Sequence, residues 1–119
     1  MDDQLNNAVA NFAQAARNHY EYTLAGNTEA TNRAAGEIDG CFRVVIAHGD
    51  AGRLMLLDLL GDENRAVRSM AAAYSLTYAP DRVVPILEQL SNGNDLKALA
   101  AKNCLKQWRE GDWHLGENT

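Results

Sequence analysis

The stretch Leu54-Met55-Leu56-Leu57-Asp58-Leu59-Leu60-Gly61-Asp62-Glu63-Asn64-Arg65-Ala66-Val67-Arg68-Ser69-Met70-Ala71-Ala72-Ala73-Tyr74-Ser75-Leu76 decides the fold. It opens as an apolar helix broken only by Asp58, passes through a polar turn, and closes with Val67, Met70, Ala71 and Tyr74 on one helical face. An apolar helix, a turn and an alanine-rich helix form the hairpin from which stacked helical repeats are built. A helix apolar nearly all round is covered from more than one side, so residues 54–60 are the expected wall of the core. Alanines at 71–73 allow neighbouring helices to approach closely.

Toward the N-terminus, Asp2 or Asp3 can cap a first helix whose stripe is Leu5, Val9, Phe12, Ala16, Tyr20 and Leu24. Gly26 stops that helix, and Asn27 or Thr28 can cap the next, which runs over about 29–47. The second helix should bury Ala35, Ile38, Phe42, Val45 and Ile46. Gly36 and Gly40 stand four residues apart within it, each costing up to about 1 kcal/mol relative to alanine. That cost predicts a helix packed closely against both glycines, with a ligand pressing there as the alternative ranked below it. His48-Gly49-Asp50 ends this helix and caps the third.

Toward the C-terminus, Ala79-Pro80 ends the fourth helix, because a residue before proline avoids the α region. A fifth helix near 81–90 buries Val83, Ile86, Leu87 and Leu90, and an early start would place Pro85 inside it. Asn92-Gly93-Asn94 is a turn, and Asn94 or Asp95 caps a sixth helix carrying Leu96, Leu99, Ala100, Cys104, Leu105 and Trp108. Gly111 closes it, Trp113 pins the tail, and residues 116–119 fray. No segment alternates with period two, so the expected fold is all-α: six helices in one domain, residues 1–119, forming an α–α superhelix of about three hairpins.

The hairpins repeat weakly. Leu56 and Leu60 match Ile86 and Leu90 at an offset of thirty, while Val67, Met70, Ala71, Ala72 and Leu76 match Leu96, Leu99, Ala100, Ala101 and Leu105 at twenty-nine. The segment Asp62-x-x-x-x-Val67-Arg68-x-x-Ala71-Ala72 resembles a HEAT repeat. Over about residues 12–113 the chain also resembles a small bacterial family, domain of unknown function two thousand and nineteen. The residues that carry this likeness begin with Asn32-Arg33, Gly49-Asp50-x-Gly52-Arg53 and Ala66-Val67-Arg68-x-x-Ala71-Ala72-Ala73. Pro80-x-Arg82, Leu87-Glu88 and Leu105-x-x-Trp108-Arg109-x-Gly111 extend it, and Pro85 departs from the family's unbroken helix. The resemblance implies a HEAT-like helical fold and supplies no catalytic residues.

Eleven Lys and Arg against sixteen Asp and Glu leave a net charge of −5. The charge is uneven: residues 1–64 carry ten acids and four bases, net −6, whereas residues 65–119 carry six acids and seven bases, net +1. Such acidity disfavours nucleic acid and anionic membrane as partners and would steer a basic protein toward the first half. Cys41 and Cys104 have no CxxC pairing or zinc-ligand spacing and read as free thiols. The acidic start Met1-Asp2-Asp3-Gln4 is unlike a secretory signal, and the expected setting is the cytoplasm.

His19, His48 and His114 are scattered, and the acids at 50, 58, 62 and 63 lack calcium-loop spacing. No nucleophile elbow or phosphate loop is present, so no catalytic, cofactor-binding or metal-ligating residue is assigned. The expected function is protein recognition through an exposed helical face, with Arg65, Ser69, Lys97 and Lys102 as candidate partner-binding residues. A bacterial immunity protein that neutralises a basic toxin domain would suit the acidic half. The competing reading is a small-ligand protein or enzyme with a pocket between helices two and four, lined by His19, His48 or Tyr74. A nucleic-acid-binding helical repeat ranks below both.

Overall fold

The computed structural model describes residues 3–113 and 115; Asp2, His114 and the tail expected to fray at 116–119 lie outside them. Among the described residues the chain forms six α-helices and no strand. These are α1 (Asp3–Leu24), α2 (Thr28–Ala47), α3 (Asp50–Asp58), α4 (Arg65–Ser75), α5 (Pro80–Leu90) and α6 (Leu96–Arg109). A 3-10 turn, Leu59–Gly61, follows α3. The helices pack as three hairpins, α1 with α2, α3 with α4 and α5 with α6. No helix among the described residues is long and apolar enough to cross a membrane.

Local chemistry sets the boundaries. The Asn27 side-chain oxygen accepts from the Ala30 amide at 3.1 Å, and that of Asn64 accepts from Ala66 and Val67 at 2.9 and 3.2 Å. Asp95 accepts from the Ala98 amide at 2.9 Å. Each satisfies amides that the first helical turn leaves unpaired. Gly26 and Gly111, at φ 73° and 80°, end α1 and α6 as expected. Asp50 is not a cap: Gly49 holds that position, and Asp50 stands exposed in the first turn with Arg53 at 3.7 Å.

The centre of the core is α4, not the expected wall at 54–60. Helix α4 touches α1, α3, α5 and α6, and it buries Ala66, Val67, Ser69, Ala71, Ala72, Tyr74 and Ser75. Its small side chains let four neighbours close on it, because interaxial distance follows side-chain size at the contact. Leu54 is 59% exposed, and only Leu56, Leu57 and Leu60 of the leucine run are buried. Helix α3 is short, and its composition exceeds what its neighbours can cover.

Other expected faces are rotated. In α2 the buried set is Ala30, Ala34, Ile38, Phe42 and Val45, so Ala35 is exposed and Ile46 only half-buried. The stripe of α1 holds to Ala16, but Leu24 is 58% exposed because this helix of 22 residues outruns the 11 of α4. In α6, Leu96, Leu99 and Ala100 face outward, and the buried residues are Lys97, Ala98, Ala101, Cys104 and Leu105. The repeat offset is therefore thirty throughout. Val67, Ala71, Tyr74 and Ser75 superpose in burial on Lys97, Ala101, Cys104 and Leu105, so Lys97 occupies the place of a fully buried valine.

Helix α5 begins at Pro80 and runs through Pro85. The amide that proline lacks would have bonded to Asp81, and both residues are exposed, so the loss falls on the solvent side. Trp113 and Leu115 pack against the core, and Thr77 Oγ1 donates to the Leu115 carbonyl at 3.0 Å, so the tail is held as expected.

Candidate recognition groove

Along α1 stand Gln4, Asn7, Asn11, Gln14 and Asn18. Steps of three, four, three and four keep them on one line of the helix surface. The first four are exposed and Asn18 is half-buried. The row borders a groove of about 550 Å³ that Ala8 and Ala15 floor from α1 and Glu37, Gly40, Cys41 and Val44 complete from α2.

The carboxamides are partly linked. Gln14 Nε2 donates to Asn18 Oδ1 at 3.0 Å, and Arg17 Nη2 donates to Gln14 Oε1 at 2.9 Å. Each carboxamide has two N–H donors and two acceptor lone pairs, so these links leave most of the row's capacity open. Burial, assisted by Glu37, raises the Cys41 thiol above its ordinary range, so at neutral pH it lines the groove as a neutral group.

Of the two glycines of α2, Gly40 lines this groove and Gly36 does not. Side-chain carbons placed on Gly36 and Gly40 would meet nothing within 4 Å. The expected close helix packing is absent at both positions, although α2 packs extensively against α1. The tight glycine is Gly52, where an added carbon would lie 1.9 Å from the Val45 carbonyl oxygen. At Gly40 the missing side chain instead widens the groove.

Of the residues singled out from sequence, Arg65 and Lys102 meet at another corner, around the turn from α5 to α6, in contacts within the chain. Arg65 forms a two-pronged pair with the Asp95 carboxylate, Nη2 to Oδ1 at 3.1 Å, and also donates to the Leu90 carbonyl at 3.3 Å. Lys102 Nζ donates to the Gly93 carbonyl at 3.3 Å. Ser69 is buried. Lys97, 8% exposed, sets its ammonium 4.6 Å from the centre of the Tyr20 ring. Burial holds this amine below the ordinary lysine range, with Arg65 adding to the effect and Asp95 opposing it. His19 beside it is also lowered, by burial and then by the Lys97 charge.

The residues of the alternative pocket are spread apart in their contacts. Tyr74 fills the interior between Phe12 and Phe42, with ring centres 5.5 and 4.7 Å away. His48 Nδ1 lies 2.8 Å from the Val44 carbonyl at the end of α2. Among the described residues no group of three His, Cys, Asp or Glu side chains is placed to hold a metal ion.

The apolar stripe of α1 sets its buried face and gives no sign of the carboxamide row beside it. The signal for that row is the 3-4-3-4 spacing of one side-chain chemistry.

No protein-family model and no curated protein matches the chain. Among solved structures, the crystal structure of the protein RPA1889 from Rhodopseudomonas palustris CGA009 is similar, with a TM-score of 0.84 at 24% sequence identity. The match covers 96% of this chain and 98% of that one. The two proteins share one all-α fold over nearly their full lengths.

Proposed function

We propose that this chain is a protein-recognition module that holds an extended segment of another polypeptide in the groove between α1 and α2. The observation that carries the reading is the row of five carboxamides beside Gly40, where a side-chain carbon would meet nothing within 4 Å. A peptide backbone offers alternating N–H donors and carbonyl acceptors, and a carboxamide can answer either. From Gln4 to Asn18 the row runs about 21 Å at 1.5 Å per residue. That length accommodates about six residues of extended chain at roughly 3.3 Å each.

Charge favours a basic segment. Glu37 borders the groove, and residues 1–64 carry a net −6. A basic toxin domain is a partner of that chemistry, and neutralising such a toxin in the cytoplasm is the biological form of the proposal. Two free thiols suit a reducing setting. Membership of a HEAT-like family, with binding rather than catalysis as its work, is part of the same proposal.

Selection from a displayed library of random six-residue peptides tests the reading. Enriched sequences should be rich in Lys and Arg, and their synthetic peptides should bind saturably. Asn11→Ala and Gly40→Leu should each weaken binding about tenfold or more without lowering thermal stability. Selected peptides that bind Gly40→Leu as tightly as the parent would place recognition elsewhere and overturn the assignment.

A further inference from the structure

A second concavity, of about 300 Å³, opens between α4, α5 and the turn after α5. Leu60, Ile86 and Leu90 give it an apolar wall, and Arg65, Arg68 and Gln89 supply its polar side chains. No carboxylate lines it.

The two guanidinium groups differ in their charge balance. Arg65 is compensated by Asp95. Arg68 is held through Nη1 by two backbone carbonyls, Asp62 at 2.8 Å and Glu63 at 3.0 Å. The Asp62 carboxylate serves its own turn, accepting from the Asn64 amide at 2.8 Å. Among the described residues no carboxylate lies within ion-pair distance of Arg68. Carbonyl acceptors fix the position of a guanidinium without neutralising it. With Nη1 engaged, the Nε–Nη2 edge is the remaining fork, and its spacing matches the two oxygens of a carboxylate.

We propose that this cavity is a carboxylate-binding site. Arg68 grips the anion through its Nε–Nη2 edge, Gln89 contributes a carboxamide, and Leu60, Ile86 and Leu90 receive an aliphatic or aryl body. A bare inorganic phosphate would leave that apolar wall uncovered, so the preferred ligand joins one carboxylate to an apolar group. Such a ligand is either a small organic acid or the C-terminal carboxylate of a polypeptide ending in an apolar residue.

Calorimetric titration of the full chain with 4-methylpentanoate, benzoate, N-acetyl-Gly-Leu, its C-terminal amide and inorganic phosphate tests the site. At least one of the carboxylates should bind saturably. Arg68→Lys, which keeps the charge and loses the fork, should bind it about tenfold more weakly. Ile86→Trp, which fills the cavity and leaves Arg68 in place, should abolish binding, while Asn11→Ala in the α1–α2 groove should leave it unchanged. Melting curves of each variant separate lost binding from lost folding. Tighter binding of N-acetyl-Gly-Leu than of the small acids upholds the site for polypeptide termini, and the reverse order upholds it for small acids. Equal binding of the amide, equal binding of phosphate, undiminished affinity in Arg68→Lys, or no binding by any carboxylate would overturn the proposal.

Discussion

The α-carbon of Gly52 is so close to Val45 that a side-chain carbon there would stand 1.9 Å from the Val45 carbonyl oxygen. The oxygen is backbone near the end of α2, so relief requires α3 to move away from α2. Gly52→Ala is expected to lose about 3 kcal/mol of stability, seen as a lower urea midpoint at unchanged slope.

Gly36 and Gly40 should behave in the opposite way. Both are exposed within α2 with open space where a side chain would go. Gly36→Ala and Gly40→Ala should each gain about 0.5–1 kcal/mol by the same measurement, since alanine lowers the conformational cost of a helical position. A loss in either variant would show that a neighbour packs there after all.

Ala71 and Ala72 are fully buried on the central helix. Replacing either with leucine should overpack α4 against its neighbours and cost about 1–3 kcal/mol. Unchanged melting temperatures in both variants would remove α4 from the centre of the core.

Lys97 gives a prediction in pH. Burial depresses its folded-state pKa below the ordinary 10.5, so the unfolded chain binds this proton more tightly. Its contribution to stability therefore rises with pH between the depressed value and 10.5, and its cost is complete at neutral pH. Lys97→Met should compare most favourably with the parent near pH 7, with the margin shrinking toward pH 10.5. A margin independent of pH would mean that the ammonium is as well solvated folded as unfolded.

Cys104 and Tyr74 act with the opposite sign. Burial pushes the Cys104 thiol from 9.0 up to about 12. Burial, with Asp39 adding and Arg43 opposing, raises the Tyr74 hydroxyl from 10.0 to about 12. The unfolded groups ionise first, so stability should fall as pH rises from about 9 toward 12. Measured in the Lys97→Met background, which removes the overlapping amine, the fall should be shallower in Cys104→Ala. A thiol reagent at pH 8 should label the half-buried Cys41 well ahead of the buried Cys104.

Much of this fold was legible because its signals are local. Asn27 and Asp95 cap where the helices begin, and Gly26 and Gly111 stop them where periodicity fails. Which side of a helix is buried proved less legible. Leu96 and Leu99 promised an apolar face for α6, yet packing on α4 and α5 turned Lys97 inward, where its aliphatic stem lies in a valine's place. The row from Gln4 to Asn18 reads alone as a solvated face. It becomes one wall of a groove only when α2 lays Gly40 and Val44 beside it. Arg65 and Arg68 stand three residues apart in sequence, but the cavity they line exists only because α5 brings Ile86, Gln89 and Leu90 against them.

Side-chain amide signals of Asn and Gln in nitrogen–proton correlation spectra test the groove most directly. Titration of labelled protein with a selected basic peptide should shift the side-chain resonances of Asn7, Asn11 and Gln14 saturably, together with the backbone amides of Gly40 and Cys41. Shifts confined to residues around Arg65 and Lys102, with the carboxamide signals of α1 unmoved, would contradict the account.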